Sequence, residues 1–151
     1  MTVIVYRDGI MAADSGAFSA STKCSHANKI ARGPDGSLYG VTGNSAEGET
    51  YLRWVRSGME GELPVIRRTK EADNEDAFHV LRVRPGCDPE RLTGYGIETW
   101  EGAPYAAMGS AADVALGALH AGATAEAAVL AAIEHSQWAH GPVRSLSHAA
   151  S

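Results

Sequence analysis

Position 2 of the chain is a threonine, a residue type that can react covalently when it stands at a chain end. A threonine hydroxyl is a weak nucleophile until a base removes its proton. A free α-amino group, with an ordinary pKa of about 7.7 to 8.0, can act as that base near neutral pH. If Met1 is removed, Thr2 carries both groups. The bland alternative is that Thr2 is an ordinary residue of a first strand.

The other reactive side chains form no metal or redox motif. His135 and His140 lie five residues apart, and no Asp, Glu or Cys completes a ligand set around them at the spacing of zinc sites. Cys24 and Cys87 lack the CxxC spacing and the density of a disulfide scaffold. We therefore predict no metal, no cofactor and two reduced cysteines.

Composition indicates one folded domain over residues 1–151. The chain is 44% hydrophobic and 21% charged, which is ordinary for a globular protein. Its net charge of -5 and scattered basic residues argue against a nucleic-acid partner. No stretch resembles a signal peptide or reaches the length of a membrane span. We expect a cytoplasmic protein that does not enter a membrane.

Turn residues and apolar runs predict two β-hairpins near the start of the chain. Residues 3–6 and 10–13 flank the turn dipeptide Asp8-Gly9. Residues 28–32 and 37–41 flank a turn between Gly33 and Gly36, with Lys29 on the first of these strands. The intervening residues 15–25 are a small polar stretch.

Helical periodicity appears in three later segments, at 44–58, 110–121 and 124–135. Asn44 and Thr124 are suited to cap the first and third, and Ser110 has capping-box spacing to Asp113 in the second. Residues 59–72 are predicted as loop. Strands are expected at 78–83, weakly at 95–100, and finally at 142–146. This order favours antiparallel sheets with helices packed outside them.

Four segments of the chain occur in a recognisable order. They are Thr2-Val-Ile-Val-Tyr-Arg-Asp-Gly-Ile-Met-Ala-Ala-Asp14-Ser15, Asn-Lys29-Ile, Val41-Thr-Gly43-Asn-Ser-Ala and Met108-Gly-Ser110, and together they extend over nearly the whole sequence. In this order they resemble the proteasome β-type and HslV-like peptidases of the N-terminal nucleophile (Ntn) hydrolases, in which a threonine begins the mature chain.

This resemblance implies a role for each matching residue. Thr2 is the nucleophile, and Lys29 is the lysine whose charge disfavours protonation of the terminal amine. Asp14 holds Lys29, and the Gly43 N–H faces the developing oxyanion. Ser110 is the serine of the Gly-Ser turn. Without the resemblance, Asp14 is a turn former, Lys29 an exposed lysine, Gly43 a hinge and Ser110 only an N-cap.

The sequence departs from the family near the last helix. Family members often carry an aspartate and a serine or threonine there, just before a Gly-Gly step, in support of the terminal amine. Ser136 and Ala139 align with those two positions, and His140 replaces the first glycine. Supporting groups tune pKa and geometry. A catalytically inactive assembly or binding subunit is therefore one alternative, and an Ntn amidase acting on a small amide is another.

The fold implied by the resemblance is α+β, a four-layer αββα sandwich of two antiparallel sheets. The implied activity is that of a threonine-type endopeptidase acting on peptides or unfolded proteins. The implied partners are further copies of the chain in a closed homo-oligomer and an ATP-dependent unfoldase.

Overall fold

The structure is a computed structural model that describes residues 1–19, 22–68 and 76–149. Strands and helices follow one another along the chain as β1 (Ile4–Arg7), β2 (Ile10–Ala13), β3 (Gly16–Ser19), β4 (Thr22–His26), β5 (Ile30–Arg32), β6 (Leu38–Gly43), α1 (Ser45–Arg56), β7 (Phe78–Val83), β8 (Glu90–Thr93), β9 (Gly96–Thr99), β10 (Tyr105–Met108), α2 (Ala112–His120), α3 (Ala125–His135) and β11 (Arg144–Ser147).

The first sheet is antiparallel, with strand order β10-β1-β2-β11. Successive side chains of a strand point to opposite faces, and both faces of this sheet are apolar. Val3 and Val5 pack against α2 and α3, whereas Ile4 between them faces the second sheet. The predicted first hairpin is confirmed, and it forms the centre of this sheet.

The second sheet is also antiparallel, with strand order β5-β6-β7-β8-β9. Helix α1 covers its outer face and buries Tyr51, Leu52 and Val55 against it. The predicted hairpin of β5 and β6 is confirmed, although Lys29 lies just before β5 instead of on it.

The two sheets pack face to face through buried side chains such as Ile4, Met11, Leu38 and Leu81. Gly40 belongs to this interface, because a Cβ atom there would overlap the side chain of Ile4. The layers are therefore α2 and α3, the first sheet, the second sheet and α1. The predicted α+β, four-layer αββα sandwich is confirmed.

Three strands occur where the sequence pattern was weak or misleading. The polar stretch 15–25 contains β3 and β4, which form a two-stranded sheet whose second strand is exposed throughout. The weak strand predicted at 95–100 is β9, and its partner β8 was not predicted. Strands β4 and β9 are exposed along their whole length, and an exposed strand carries little periodicity. Of the predicted loop 59–72, residues 69–72 lie outside the described part of the chain.

Helix ends differ from prediction mainly at Ser110. The Asn44 and Thr124 side chains accept from the N–H groups of Glu47 and Ala127, both at 3.1 Å, so these two caps are confirmed. Capping by Ser110 is wrong. Helix α2 starts at Ala112, its N-cap residue is Ala111, and no side chain caps it. For Ser110 to be the N-cap residue, the helix would have to begin at Ala111. The turn at Gly109, with φ of 110°, makes it begin one residue later, at Ala112.

Within the described residues, no helix is both long and apolar enough to cross a membrane.

The two candidate caps provide a matched test of this assignment. We expect Thr124→Ala to lower the free energy of unfolding by about 1 kcal/mol, because the Ala127 N–H loses its acceptor. Ser110→Ala should change it by less than about 0.5 kcal/mol, since the exposed Ser110 hydroxyl caps nothing. Urea denaturation of both variants measures the difference, and equal losses would contradict the capping scheme.

Candidate active site

Thr2 lies at the entrance to β1 and is held there by its own main chain. Its carbonyl oxygen accepts from the Ala111 N–H at 3.2 Å. Gly109 passes so close that a Cβ atom would overlap this carbonyl, and its φ of 110° also favours glycine. The Thr2 residue is 8% exposed, and the segment before α2 fixes the position of its main chain.

The Lys29 ammonium group is directed at Thr2 from beneath. Its Nζ donates to Asp14 Oδ1 at 2.9 Å, to Thr2 Oγ1 at 3.2 Å and to the Met1 carbonyl oxygen at 3.2 Å. An ammonium group has three N–H donors, so these three acceptors satisfy it fully. Lys29 is only 7% exposed, which leaves little freedom to turn elsewhere.

Asp14 is fully buried and anchors several segments at once. Besides Lys29, its Oδ1 accepts from the Val3 N–H at 3.0 Å. Its Oδ2 accepts from the Gly16 N–H at 3.3 Å and the His140 N–H at 3.1 Å. Asp14 therefore ties the chain start, Lys29 and the segment before β11 together.

The charges in this cluster act on one another. Burial lowers the pKa of Lys29 from its ordinary value, and the Asp14 carboxylate opposes that shift. The α-amino group of Met1 also has a lowered pKa, first because burial disfavours its charged form and second because Lys29 repels it. The cluster thus favours a neutral terminal amine beside Lys29.

Gly43 ends β6 opposite Phe78 and has a conformation that other residues would not tolerate. Its φ is 112°, and a Cβ atom would lie 2.7 Å from both the Ala77 carbonyl oxygen and the Phe78 Cα. N–H groups alternate in direction along an antiparallel strand. Val41, two residues earlier, donates to the Lys29 carbonyl, so the Gly43 N–H points to the same side, past the start of β5.

A cavity of about 460 Å³ opens in front of these groups. Thr2, Lys29 and Gly43 line it, and Asp14 lies behind Lys29. Ser110 does not line it. The Ser110 residue is exposed and its hydroxyl makes no hydrogen bond within the described structure. Four of the five predicted residues thus come together, and Ser110 lies next to the Ala111 N–H that holds Thr2.

Several residues of this region escaped the sequence prediction. The cavity walls include Phe18 and His26 of the exposed hairpin, and Glu49 and Arg56 of α1. Glu49 and Arg56 are seven residues apart, a spacing that places them on one side of a helix and could have been noticed. His140 contacts Asp14 through its main chain, which no side-chain pattern reveals.

The segment that departs from the family lies close to Asp14. Ala139 is buried, and the His140 carbonyl accepts from the Ser15 N–H at 2.8 Å. Ser136 ends α3, and its hydroxyl accepts from the Trp138 N–H at 3.1 Å. Among the described residues, no group of three His, Cys, Asp or Glu is arranged to hold a metal ion.

Comparisons with known proteins place this arrangement in a known fold. Neither models of protein families nor curated protein sequences gave a match. Comparison with solved structures, in contrast, gave matches. Over 96% of this chain and 95% of that one, the protein is similar to Thiobacillus denitrificans BPH, with 22% identity and a TM-score of 0.68. A structure of the same BPH in complex with epoxomicin gives 20% identity, 96% coverage of both chains and a TM-score of 0.68.

A eukaryotic HslV from Trypanosoma brucei is also similar, with 18% identity over 97% of this chain and 99% of that chain, and a TM-score of 0.63. Similarity at this level of identity concerns the fold. The chain has the proteasome β-type and HslV-like fold of the N-terminal nucleophile hydrolases.

Proposed function

We propose that this protein is a threonine-type peptidase of the proteasome β and HslV kind, in which removal of Met1 exposes Thr2 as the nucleophile. The observation that carries the proposal is the contact of the Lys29 ammonium with both Thr2 Oγ1, at 3.2 Å, and Asp14 Oδ1, at 2.9 Å. If Lys29 only stabilised the fold, it would not need to contact the hydroxyl of Thr2 at the mouth of a cavity.

In this mechanism the freed α-amino group of Thr2 is the general base. It takes the hydroxyl proton while Oγ1 attacks the carbonyl carbon of a peptide bond. The protonated amine then gives that proton to the leaving nitrogen of the substrate, and an ester of Thr2 remains. Water, deprotonated by the same amine, hydrolyses the ester and restores the site.

Lys29 supports this cycle electrostatically. Its positive charge favours the neutral amine, in line with the lowered pKa of the terminal amine in the unprocessed chain. Removal of Met1 also removes the carbonyl that Lys29 now contacts at 3.2 Å, which frees one N–H of the ammonium inside the cavity. Asp14 keeps Lys29 charged and fixed in position.

Gly43 is the proposed oxyanion donor, because its N–H is turned toward the side of the cavity occupied by Lys29. Loss of one such donor typically costs ~10²- to 10³-fold in rate. Ser110 is proposed to assist through its place in the turn beside Thr2. We further propose one domain over residues 1–151 and a cytoplasmic location, with which the two exposed free cysteines agree.

The first test of this proposal is the identity of the terminal residue. We expect intact mass spectrometry of protein from its natural host to show the mass without methionine, because Thr2 is small enough to permit its removal. Retention of Met1 would leave the amine on the wrong residue and would reject the catalytic reading in favour of a non-catalytic subunit.

The second test is chemical. Thr2→Ala should abolish hydrolysis of fluorogenic peptides and casein, whereas Thr2→Ser should retain part of it, because serine keeps a hydroxyl and an amine. Lys29→Met should lower kcat/KM by about 10³-fold or more if it acts in one unit with Thr2. Epoxomicin, which occurs in a complex with BPH, should add its mass to the wild type and not to Thr2→Ala.

Folding must be checked in these variants. Lys29→Met leaves the Asp14 carboxylate buried without its ion-pair partner, a change that can cost about 3 to 5 kcal/mol. Thr2→Ala removes no buried charge and is therefore the cleaner variant. Unchanged hydrolysis in Thr2→Ala would refute the mechanism, and turnover of small amides alone would support an Ntn amidase.

The third test concerns assembly. We propose a closed homo-oligomer that receives peptide or unfolded protein, with an ATP-dependent unfoldase as a possible partner. The small residues of α2 and α3 pack within the subunit, yet Leu116 and Leu130 on these helices remain 41% and 57% exposed. Sedimentation equilibrium should give a multiple of the chain mass. A monomer over a wide concentration range would contradict this proposal.

A further inference from the structure

The wall that α1 contributes to the cavity carries two charged residues, Glu49 and Arg56. They share a cavity with Thr2 and Gly43, so a substrate side chain near the attacked carbonyl can reach the same space. Small residues, Ala27 and Ser45, also line it and leave room for a side chain of moderate length.

The Arg56 side chain is fixed against main-chain groups next to Lys29. Its Nη2 donates to the Ile30 carbonyl at 2.8 Å and to the Asn28 carbonyl at 3.4 Å. These two residues flank Lys29 in the chain. A guanidinium has five N–H donors, so Nε and Nη1 are left with three that have no acceptor within the described structure. The guanidinium of Arg56 is thus held in one orientation, while three of its five N–H groups are available to a ligand.

The guanidinium of Arg56 also lacks a close counterion among the described residues. Lys29, in the same cavity wall, pairs with Asp14 at 2.9 Å, and Glu49 pairs with Arg53 at 3.2 Å. No carboxylate of the described residues lies within ion-pair distance of Arg56. Partial burial lowers the pKa of Arg56, but an arginine side chain stays protonated in proteins.

We propose that Arg56 is a specificity-determining residue that binds a carboxylate of the substrate, so that the site prefers an acidic side chain on the residue whose carbonyl is attacked. This inference rests on the proposed function in taking the cavity as the substrate-binding site. An N–H group of Nη1 or Nε donates to the carboxylate, while the Nη2 contacts keep the guanidinium in place. Glu49 opposes the preference and limits it.

Binding to the Thr2→Ala protein tests the inference without requiring hydrolysis. Blocked tripeptide amides that differ only in a last residue of Glu, Gln, Leu or Arg are titrated by fluorescence anisotropy. We expect the Glu peptide to bind about five- to twentyfold more tightly than the Gln peptide, with the difference shrinking at high salt. The peptides ending in Leu and Arg should bind no better than the Gln peptide.

Matched variants identify the group responsible. Arg56→Gln should make the Glu and Gln peptides bind equally, and Arg56→Lys should keep part of the preference. Arg91→Gln is the control, because Arg91 lies on β8 outside the cavity wall and pairs with Glu98 instead of a cavity residue, and it should leave the preference in place. Glu49→Gln should enlarge it by removing a nearby negative charge.

The outcomes separate this inference from the proposed function. Equal binding of the Glu and Gln peptides, a preference for Arg, or a preference that survives Arg56→Gln would overturn the assignment even if the wild type hydrolyses peptides. Selective binding that depends on Arg56 would uphold it even if the wild type hydrolyses none of them, and the proposed peptidase activity would then be the part that fails.

Discussion

The geometry of the site depends on the buried carboxylate of Asp14. This side chain is fully buried, and its two oxygens accept from four donors on four separate segments of the chain. The same carboxylate that holds Lys29 therefore also places the first strand, through Val3, and the segment that carries His140.

The chain start is held by main-chain contacts as firmly as by charge. Val3 N–H is bonded to Asp14, and the Thr2 carbonyl is bonded to Ala111. Gly109 lets the chain pass close to this carbonyl, and Gly43 lets β6 turn into α1 beside Phe78. Both glycines have positive φ angles, so larger residues would displace the main chain at Thr2 or at the end of β6. Backbone conformation and the buried ion pair thus fix the two halves of the site separately.

Sequence patterns predicted the elements that bury a face and missed those that do not. Val3 and Ile4 face opposite layers, and such alternation predicted the first hairpin correctly. Strand β4 is exposed along its whole length and left no pattern. Asn44 and Thr124 were predicted as caps because an apolar helical repeat follows directly, whereas the cap at Ser110 depended on a helix boundary that the turn at Gly109 shifts.

The residues of the candidate site likewise fall into a set that the sequence predicted and a set that it missed. The positions of Thr2, Asp14, Lys29 and Gly43 came from their resemblance to a family, and the structure brings these four together. Arg56 and the main chain of His140 join them only through tertiary packing, since 26 residues separate Arg56 from the Ile30 carbonyl it contacts and 126 separate His140 from Asp14. No local pattern encodes such contacts.

The scaffold around Asp14 does not depend on side chains at Ser136 and Ala139. The segment still reaches Asp14, because the bonds from the His140 N–H to Asp14 and from the Ser15 N–H to the His140 carbonyl use only main-chain groups on that segment. The Ser136 hydroxyl accepts from the Trp138 N–H, and Ala139 has no hydroxyl group. The charged neighbours that set the pKa of the terminal amine are then Lys29, which lowers it, and Asp14, which raises it. Burial lowers the pKa of the Met1 amine in the same direction as Lys29, so the neutral amine is favoured there without a contribution from Ser136 or Ala139. The departure from the family is therefore compatible with a base at the chain end, provided that the base is placed on Thr2.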